Sequence, residues 1–175
     1  MEDVSPVTIA RNEAELELMS SALRGQGHAT ELLEAGEHLP IPTLLVALGT
    51  DEQERDRTLG VSVMPFGEDG LAATDLVQFY VQMPFTLTEV VRTDLLAATA
   101  IVNAQMAIGH FAIRGDELFY RYVLATPNDE TVDDALLGEL VQLVAFHQEH
   151  FGDYLEGVID GDIDLRVLPE VIAQT

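Results

Sequence analysis

The stretch IVNAQMAIGHFAIRGDELFYRYVL, from Ile101 to Leu124, decides the fold of this chain. After the end of a helix, Gly109, Phe111 and Ile113 alternate with Ile108, His110, Ala112 and Arg114, which is the period of two that a half-buried strand needs. The segment Arg114-Gly115-Asp116-Glu117 is typical of a tight turn, because glycine at the first central position is free to take a positive φ. Alternation resumes at Leu118, so the sequence predicts a β-hairpin.

The same stretch carries a family resemblance. An apolar helix ends near Asn103, Gly109-His110-Phe111 follows, and the segment Leu118-Phe119-Tyr120-Arg121 comes after the turn and before a helix with an acidic cap. This order resembles the YbjN-like family of bacterial proteins over roughly Glu13 to Gly157. The resemblance implies a fold like that of type III secretion chaperones and points to a dimer. It implies no catalytic motif.

Hydrophobic residues make up 47% of the 175 residues, which predicts one globular domain over residues 1–175, able to bury a full core. The N-terminus Met1-Glu2-Asp3-Val4 lacks the basic-then-apolar order of a signal peptide, and the apolar runs are shorter than a membrane span, so we expect a cytoplasmic protein with no membrane partner. The absence of cysteine excludes disulfides and thiolate chemistry.

Charge is the strongest global feature, since eight basic residues, all arginine, oppose 31 acidic ones and give a net charge of −23. Such a surface repels phosphate backbones, so direct nucleic-acid binding is not expected. The charge favours a basic partner protein, including one that itself handles nucleic acid. Solubility, adaptation to a salty cytoplasm and a nucleotide bias explain the same composition without a partner.

The pattern along the chain predicts an α+β fold with the order α-β-β-β-β-α-β-β-α. We expect an antiparallel sheet of about five or six strands with helices packed against one face. The predicted elements are a loose lead-in over 1–11, a helix from a capping box at Asn12/Glu15 to about Arg24, strands near His28–Glu34, Thr43–Leu48, Leu59–Val63 and Leu76–Met83, a charged loop at Asp51–Arg57, a turn at Gly67–Gly70, a helix from a capping box at Thr86/Glu89 to about Met106, the hairpin, a helix capped by Thr131 with Asp134, and an acidic tail over 152–175.

Catalytic motifs are missing. His147 and His150 share one helical face, yet HxxH lacks the spacing and the glutamate of a zinc-protease motif, and His147 falls on an apolar stripe where a core histidine is commoner. Asp160-Gly161-Asp162-Ile163-Asp164 imitates the opening of a calcium loop, but Leu165 and Val171 stand where that loop needs glycine and glutamate. Since Ser62 lacks the setting of a nucleophile elbow and no phosphate loop exists, we expect no enzyme, no cofactor and no metal site.

The segment Phe119-Tyr120-Arg121-Tyr122, together with Tyr80, is the candidate partner-binding site. Tyrosine and arginine are the residue types most enriched at interface hot spots. Large side chains on both faces of these strands suggest association, so we expect a homodimer built on the sheet or the helices beside it. The alternative is an ordinary sheet in which Arg121 pairs with a neighbouring carboxylate.

Taken together, these features predict a non-catalytic protein-binding module, chaperone-like or regulatory, that binds a partner protein. The second hypothesis is an acidic DNA mimic or sequestering protein, which would use its carboxylates against the DNA-binding surface of a basic protein. The third is a metal-dependent enzyme.

Overall fold

A computed structural model describes residues 5–37, 39–65, 73–128 and 130–174. Six strands form one sheet in the order β1-β2-β3-β4-β6-β5. The elements are α1 (Pro6–Gly25), β1 (Thr30–Leu33), β2 (Thr43–Thr50), β3 (Asp56–Val63), β4 (Thr74–Thr86), α2 (Glu89–Asn103), β5 (His110–Arg114), β6 (Glu117–Pro127), α3 (Asp134–Asp160) and α4 (Leu168–Ile172). The predicted α+β class and element order are confirmed, with the short α4 added at the end.

The chain divides into two compact units, each made of two segments. Unit 1 contains Met1–Tyr80 and Val123–Gln142, and unit 2 contains Val81–Tyr122 and Leu143–Thr175. The strands β4 and β6 and the helix α3 therefore each contribute residues to both units. The predicted turn at Gly67–Gly70 lies outside the described residues.

In unit 1, α1 begins earlier than the sequence predicted. The Ser5 hydroxyl accepts a hydrogen bond from the Thr8 N–H at 3.1 Å, and Pro6 occupies the first turn, where its missing N–H costs nothing. The prediction of a loose lead-in over residues 1–11 is therefore wrong for residues 6–11, which are helical. Asn12 is not a cap but a buried mid-helix residue, whose Nδ2 donates to the Val63 carbonyl at 3.3 Å.

Two residue pairs between β2 and β3 place the core of unit 1 on one face of the sheet. Leu44 pairs with Val61 and Val46 pairs with Leu59, and all four side chains are fully buried. Helix α1 packs on β1, β2 and β3 through Leu16, Met19 and Leu23. The period of two in the strands and the helical spacing in α1 therefore meet at one apolar layer.

In unit 2, the predicted hairpin is confirmed. Arg114 pairs with Glu117, and Gly115 takes the positive φ of +61° that the turn requires. The strand begins at His110 rather than Ile108, because Gly109 adopts a left-handed φ of +68°. Helix α2 begins at Glu89 with Thr88 as its cap residue, whereas Thr86 is the last residue of β4, so the prediction that Thr86 caps this helix is wrong.

Helix α3 also differs from its prediction at both ends. The Asp133 carboxylate accepts hydrogen bonds from the Ala135 and Leu136 N–H groups, both at 3.0 Å, and so replaces Thr131 as the cap. The helix continues through Gly152 to Asp160, and α4 follows, so most of the predicted acidic tail is helical.

The sheet has a covered face and an open face. Side chains of the covered face alternate along each strand with side chains of the open face. The buried residues of the covered face include Val77, Phe79, Val81 and Met83 of β4 and Leu118 and Tyr120 of β6. On the open face their neighbours in sequence, including Gln78, Tyr80, Phe119 and Arg121, are only half-buried. This matches the predicted arrangement of helices against one face of the sheet.

Candidate interaction surface on the sheet

Tyr120, one of the predicted partner-binding residues, lies in the core of unit 2. Its side chain is fully buried, with its ring edge-to-face against Phe111 at 5.4 Å and near-parallel to His147 at 6.4 Å. The hydroxyl donates to the Ile108 carbonyl at 3.1 Å, and burial raises the pKa of the phenol well above its usual range. Tyr120 therefore does not offer its side chain to a partner in this structure, which corrects its place in the predicted site.

Tyr122 follows Tyr120 by two residues and so lies on the covered face, where it is half-buried. Its proximity also contributes to the raised pKa of Tyr120. Of the four consecutive residues predicted to bind a partner, the two tyrosines therefore face the helices. Only Phe119 and Arg121 belong to the open face.

In unit 2, the open face of the hairpin carries basic side chains around Phe119. The register pairs Ala112 with Phe119 and His110 with Arg121, so these four residues share the face. The Arg114 guanidinium lies 5.6 Å from the centre of the Phe119 ring, and its Nη2 is 3.2 Å from a carboxylate oxygen of Glu117. Partial burial, and then the Arg121 charge, lower the pKa of His110. The hairpin thus presents an aromatic ring among cations in a strongly acidic chain.

In unit 1, the open face carries Tyr80 among apolar and polar side chains, with Glu31 of β1 opposite Leu45 of β2. Tyr80, Leu76 and Gln78 are half-buried on β4, and Leu45 of β2 pairs with Gly60 of β3. Gly60 has no side chain on this face, and a Cβ added there would lie 3.4 Å from the Thr43 methyl group. Tyr80 therefore lies on the open face, on the side of β4 opposite the buried Val77 and Phe79.

The histidine pair of α3 is built into aromatic packing in unit 2. His147 is 4% exposed, and its Nδ1 lies 2.7 Å from the Leu143 carbonyl oxygen, so that nitrogen acts as a donor. His150 stacks on Phe146 at 5.2 Å with an angle of 9° between the rings. Among the residues that the structure describes, no group of three His, Cys, Asp or Glu side chains could hold a metal ion. The prediction of a core histidine at position 147 is confirmed.

The acidic turn that imitates a calcium loop is used internally. Both carboxylate oxygens of Asp164 accept hydrogen bonds from Arg166, at 3.0 Å from Nε and 2.6 Å from Nη2. These bonds lower the pKa of Asp164 and raise that of Arg166. The turn therefore contains a local, solvent-exposed ion pair.

Sequence reasoning missed a cavity in unit 1. A space of about 510 Å³ lies between α1 and the start of α3, and Glu15, Gln26, Thr131 and Asp134 are among its lining residues. Glu15 Oε1 is buried and accepts no hydrogen bond from the described residues. Burial first, and then Asp75, raise the pKa of Glu15 against the opposing charge of Arg11. The signal was present, because Glu15 precedes Met19 by four residues and so shares the apolar face of α1.

No family model matches this chain, and a search of curated proteins found no match. Within the described ranges, the helices include none that is long and apolar enough to cross a membrane.

Proposed function

We propose that this chain is a non-catalytic protein-binding module of the YbjN-like type, chaperone-like or regulatory, which works in the cytoplasm as a homodimer. The observation that carries the proposal is the open face of the hairpin in unit 2, where Phe119 and Arg121 are half-exposed on a regular strand. In unit 1, Tyr80 is half-exposed on β4. Large amphipathic side chains on a rigid sheet lose little entropy when a partner covers them. A half-exposed aromatic residue on a sheet also fits the expectation that association uses this surface.

A basic partner protein is the favoured class. The net charge of −23 attracts a cationic surface over a longer range than any contact and raises its association rate. Seven of the eight arginines donate hydrogen bonds to acceptors on their own chain, so much of the positive charge is already engaged. The carboxylates therefore dominate the field that an approaching protein meets.

The test uses this chain as bait in its native lysate, with Phe119→Ala as the site variant and Phe146→Ala as the matched control. Phe146 is an aromatic residue that is 56% exposed on the helix α3 rather than on a strand. We expect a set of proteins that wild type and Phe146→Ala retain and Phe119→Ala loses. Retention of the same set by Phe119→Ala would count against the open face as the binding surface.

The same variants test the homodimer. Light scattering of wild type is expected to give twice the monomer mass of 19.1 kDa at micromolar concentration. If the open face builds the dimer, Phe119→Ala lowers the mass and Phe146→Ala does not. A mass lowered by Phe146→Ala but not by Phe119→Ala would assign the dimer interface to the helices. A mass of 19.1 kDa for wild type at every concentration would refute the homodimer.

The second candidate, an acidic DNA mimic or sequestering protein, is favoured by the charge alone. The two candidates differ in how a purified partner responds to salt, because the Debye length falls from about 10 Å at 0.1 M to about 3 Å at 1 M. A mimic loses its partner steeply as salt rises and is insensitive to Phe119→Ala. An open-face binder keeps most of its affinity at high salt and loses it with that substitution. A metal-dependent enzyme is the third candidate, and it would require a metal that copurifies in stoichiometric amount.

A further inference from the structure

Asn103, the last residue of α2, is bonded to the edge strand β5. Its Oδ1 accepts from the Phe111 N–H at 2.8 Å, and its Nδ2 donates to the Phe111 carbonyl at 2.9 Å. One carboxamide thus occupies both polar main-chain groups of one residue, as a neighbouring strand would. β5 is the last strand in the sheet order, so these two groups point away from β6.

Helix α2 holds the same edge at a second point. The main-chain groups of an antiparallel strand alternate in direction, so those of Ile113 point away from β6 as those of Phe111 do. Just beyond, the Arg92 guanidinium donates to the Gly115 carbonyl at 2.5 Å. The two ends of α2 therefore place side chains on either side of the main-chain groups of Ile113.

In unit 1, the opposite edge of the sheet is treated in the same way. The Ala47 N–H donates to the Ala29 carbonyl at 3.0 Å, so the carbonyl of the next residue, Thr30, points away from β2. Arg24 donates to that carbonyl at 2.9 Å and to the Thr30 hydroxyl at 2.7 Å. Because an edge strand with unpaired groups is a template for another chain, side chains at both edges indicate protection against strand addition.

We propose that Asn103 closes a strand-docking site on β5, and that the strand it keeps out is β5 of a second copy of this chain. An antiparallel pair with its two-fold axis at Ala112 uses all five residues of the strand and joins Phe111 of one copy to Ile113 of the other. The strand reads HFAIR and has no acidic residue, unlike most of a chain with a charge of −23. The strand itself therefore adds no carboxylate to the repulsion between two copies.

The chain has no cysteine, so a single introduced thiol reports the pairing. Ala112 is half-buried on the open face, and Ala112→Cys places a thiol at the proposed axis. In a non-hydrogen-bonded antiparallel pair the two Cα atoms lie about 4.5 Å apart, within the range of a disulfide. We expect Asn103→Ala in this background to form the disulfide-linked dimer about tenfold faster than Ala112→Cys alone, because pairing holds the thiols at high effective concentration.

The matched control is Asn12→Ala in the same background. Asn12 is also a helical carboxamide that bonds a strand, through Nδ2 and the Val63 carbonyl at 3.3 Å. Val63 belongs to β3, which lies between β2 and β4, so this substitution removes a hydrogen bond without opening an edge. We expect no acceleration. Equal acceleration in both variants, or none in a folded Asn103→Ala, would overturn the proposal.

Sedimentation without the introduced thiol gives an independent measurement. We expect the Asn103→Ala variant to sediment with a larger mass than wild type. The double variant Asn103→Ala/Ala112→Lys is expected to return to the wild-type mass, because lysine on an edge strand opposes pairing. If Asn103→Ala fails to fold, Asn103→Asp replaces it in the disulfide experiment. The aspartate keeps the acceptor for the Phe111 N–H but cannot donate to the Phe111 carbonyl. We therefore expect its disulfide to form at a rate between those of Ala112→Cys alone and of the Asn103→Ala variant. A rate equal to that of Ala112→Cys alone would overturn the proposal.

Discussion

Phe119 and Tyr120 are neighbours in sequence and opposites in structure. Tyr120 is fully buried against Phe111 and His147, whereas Phe119 is half-exposed on the open face beside Arg114. Both are aromatic residues on the same strand, so residue type does not separate them. The face of the sheet decides that one side chain is buried in the core and the other is half-exposed.

The largest expected effect separates the two residues directly. Tyr120→Ala leaves a cavity in the core and should lower the free energy of unfolding by about 4 kcal/mol. Phe119→Ala removes only part of its contacts and should cost less than about 1 kcal/mol. Urea denaturation of both variants measures the difference, and similar losses for the two would contradict the division of the sheet into a covered and an open face.

The sequence predicted the elements better than their ends, and it did not resolve the faces. The alternation of apolar and polar residues predicted the two strands of the hairpin, and Gly115 predicted its turn, because both signals are local in the sequence. The start of α1 was misplaced because Asn12 and Glu15 imitate a capping box, while the actual cap, Ser5 with Pro6, was assigned to a loose segment. Local patterns of this kind compete with one another, and tertiary contacts such as that between Asn12 and Val63 decide between them.

The candidate site was predicted only in part, for a different reason. Both faces of β6 carry large side chains, so alternation shows that Phe119 and Tyr120 lie on opposite sides but not which side is covered. That choice depends on where α3 packs, which the sequence of the strand does not contain. Glu15 was missed because its assignment to a cap accounted for the carboxylate before its place on the apolar face of α1 was considered.

A second contrast sets Gly109 against Gly115, both with a left-handed φ in the same unit. At Gly109 an added Cβ would collide with the Tyr120 hydroxyl and come within 2.9 Å of the Arg121 carbonyl, whereas at Gly115 nothing lies within 4 Å. Gly109→Ala should therefore cost about 3 kcal/mol, from strain and overpacking together, and Gly115→Ala about 1 kcal/mol, from strain alone. Equal costs in urea denaturation would show that the close approach of Tyr120 is unimportant.

The coupling between Gly109 and Tyr120 is a smaller, sharper measurement. Tyr120→Phe removes the hydrogen bond to the Ile108 carbonyl and should cost about 1 kcal/mol. It also removes the atom that an alanine at position 109 would strike first, so the double variant should be less destabilised than the sum of the single ones, by at least about 0.5 kcal/mol. Strict additivity in the double-mutant cycle would mean that the buried ring can move away from position 109.

The smallest expected effect extends the contrast between covered and open positions to the carboxylates. Burial first, and then Asp75, raise the pKa of Glu15, so the folded state holds its proton more tightly than the unfolded state does. The resulting stabilisation is fully present below the ordinary glutamate pKa of 4.5 and is lost as the pH rises through the higher folded-state value. Glu15→Gln imitates the protonated form at every pH. The variant should therefore equal wild type below about pH 4 and become more stable above the folded-state pKa, by less than about 1 kcal/mol because the side chain is only half-buried. Thermal unfolding of both proteins between about pH 3 and 8 measures this window, and a variant that is less stable than wild type at neutral pH would show that the Glu15 carboxylate is stabilised by Arg11 rather than strained by its burial.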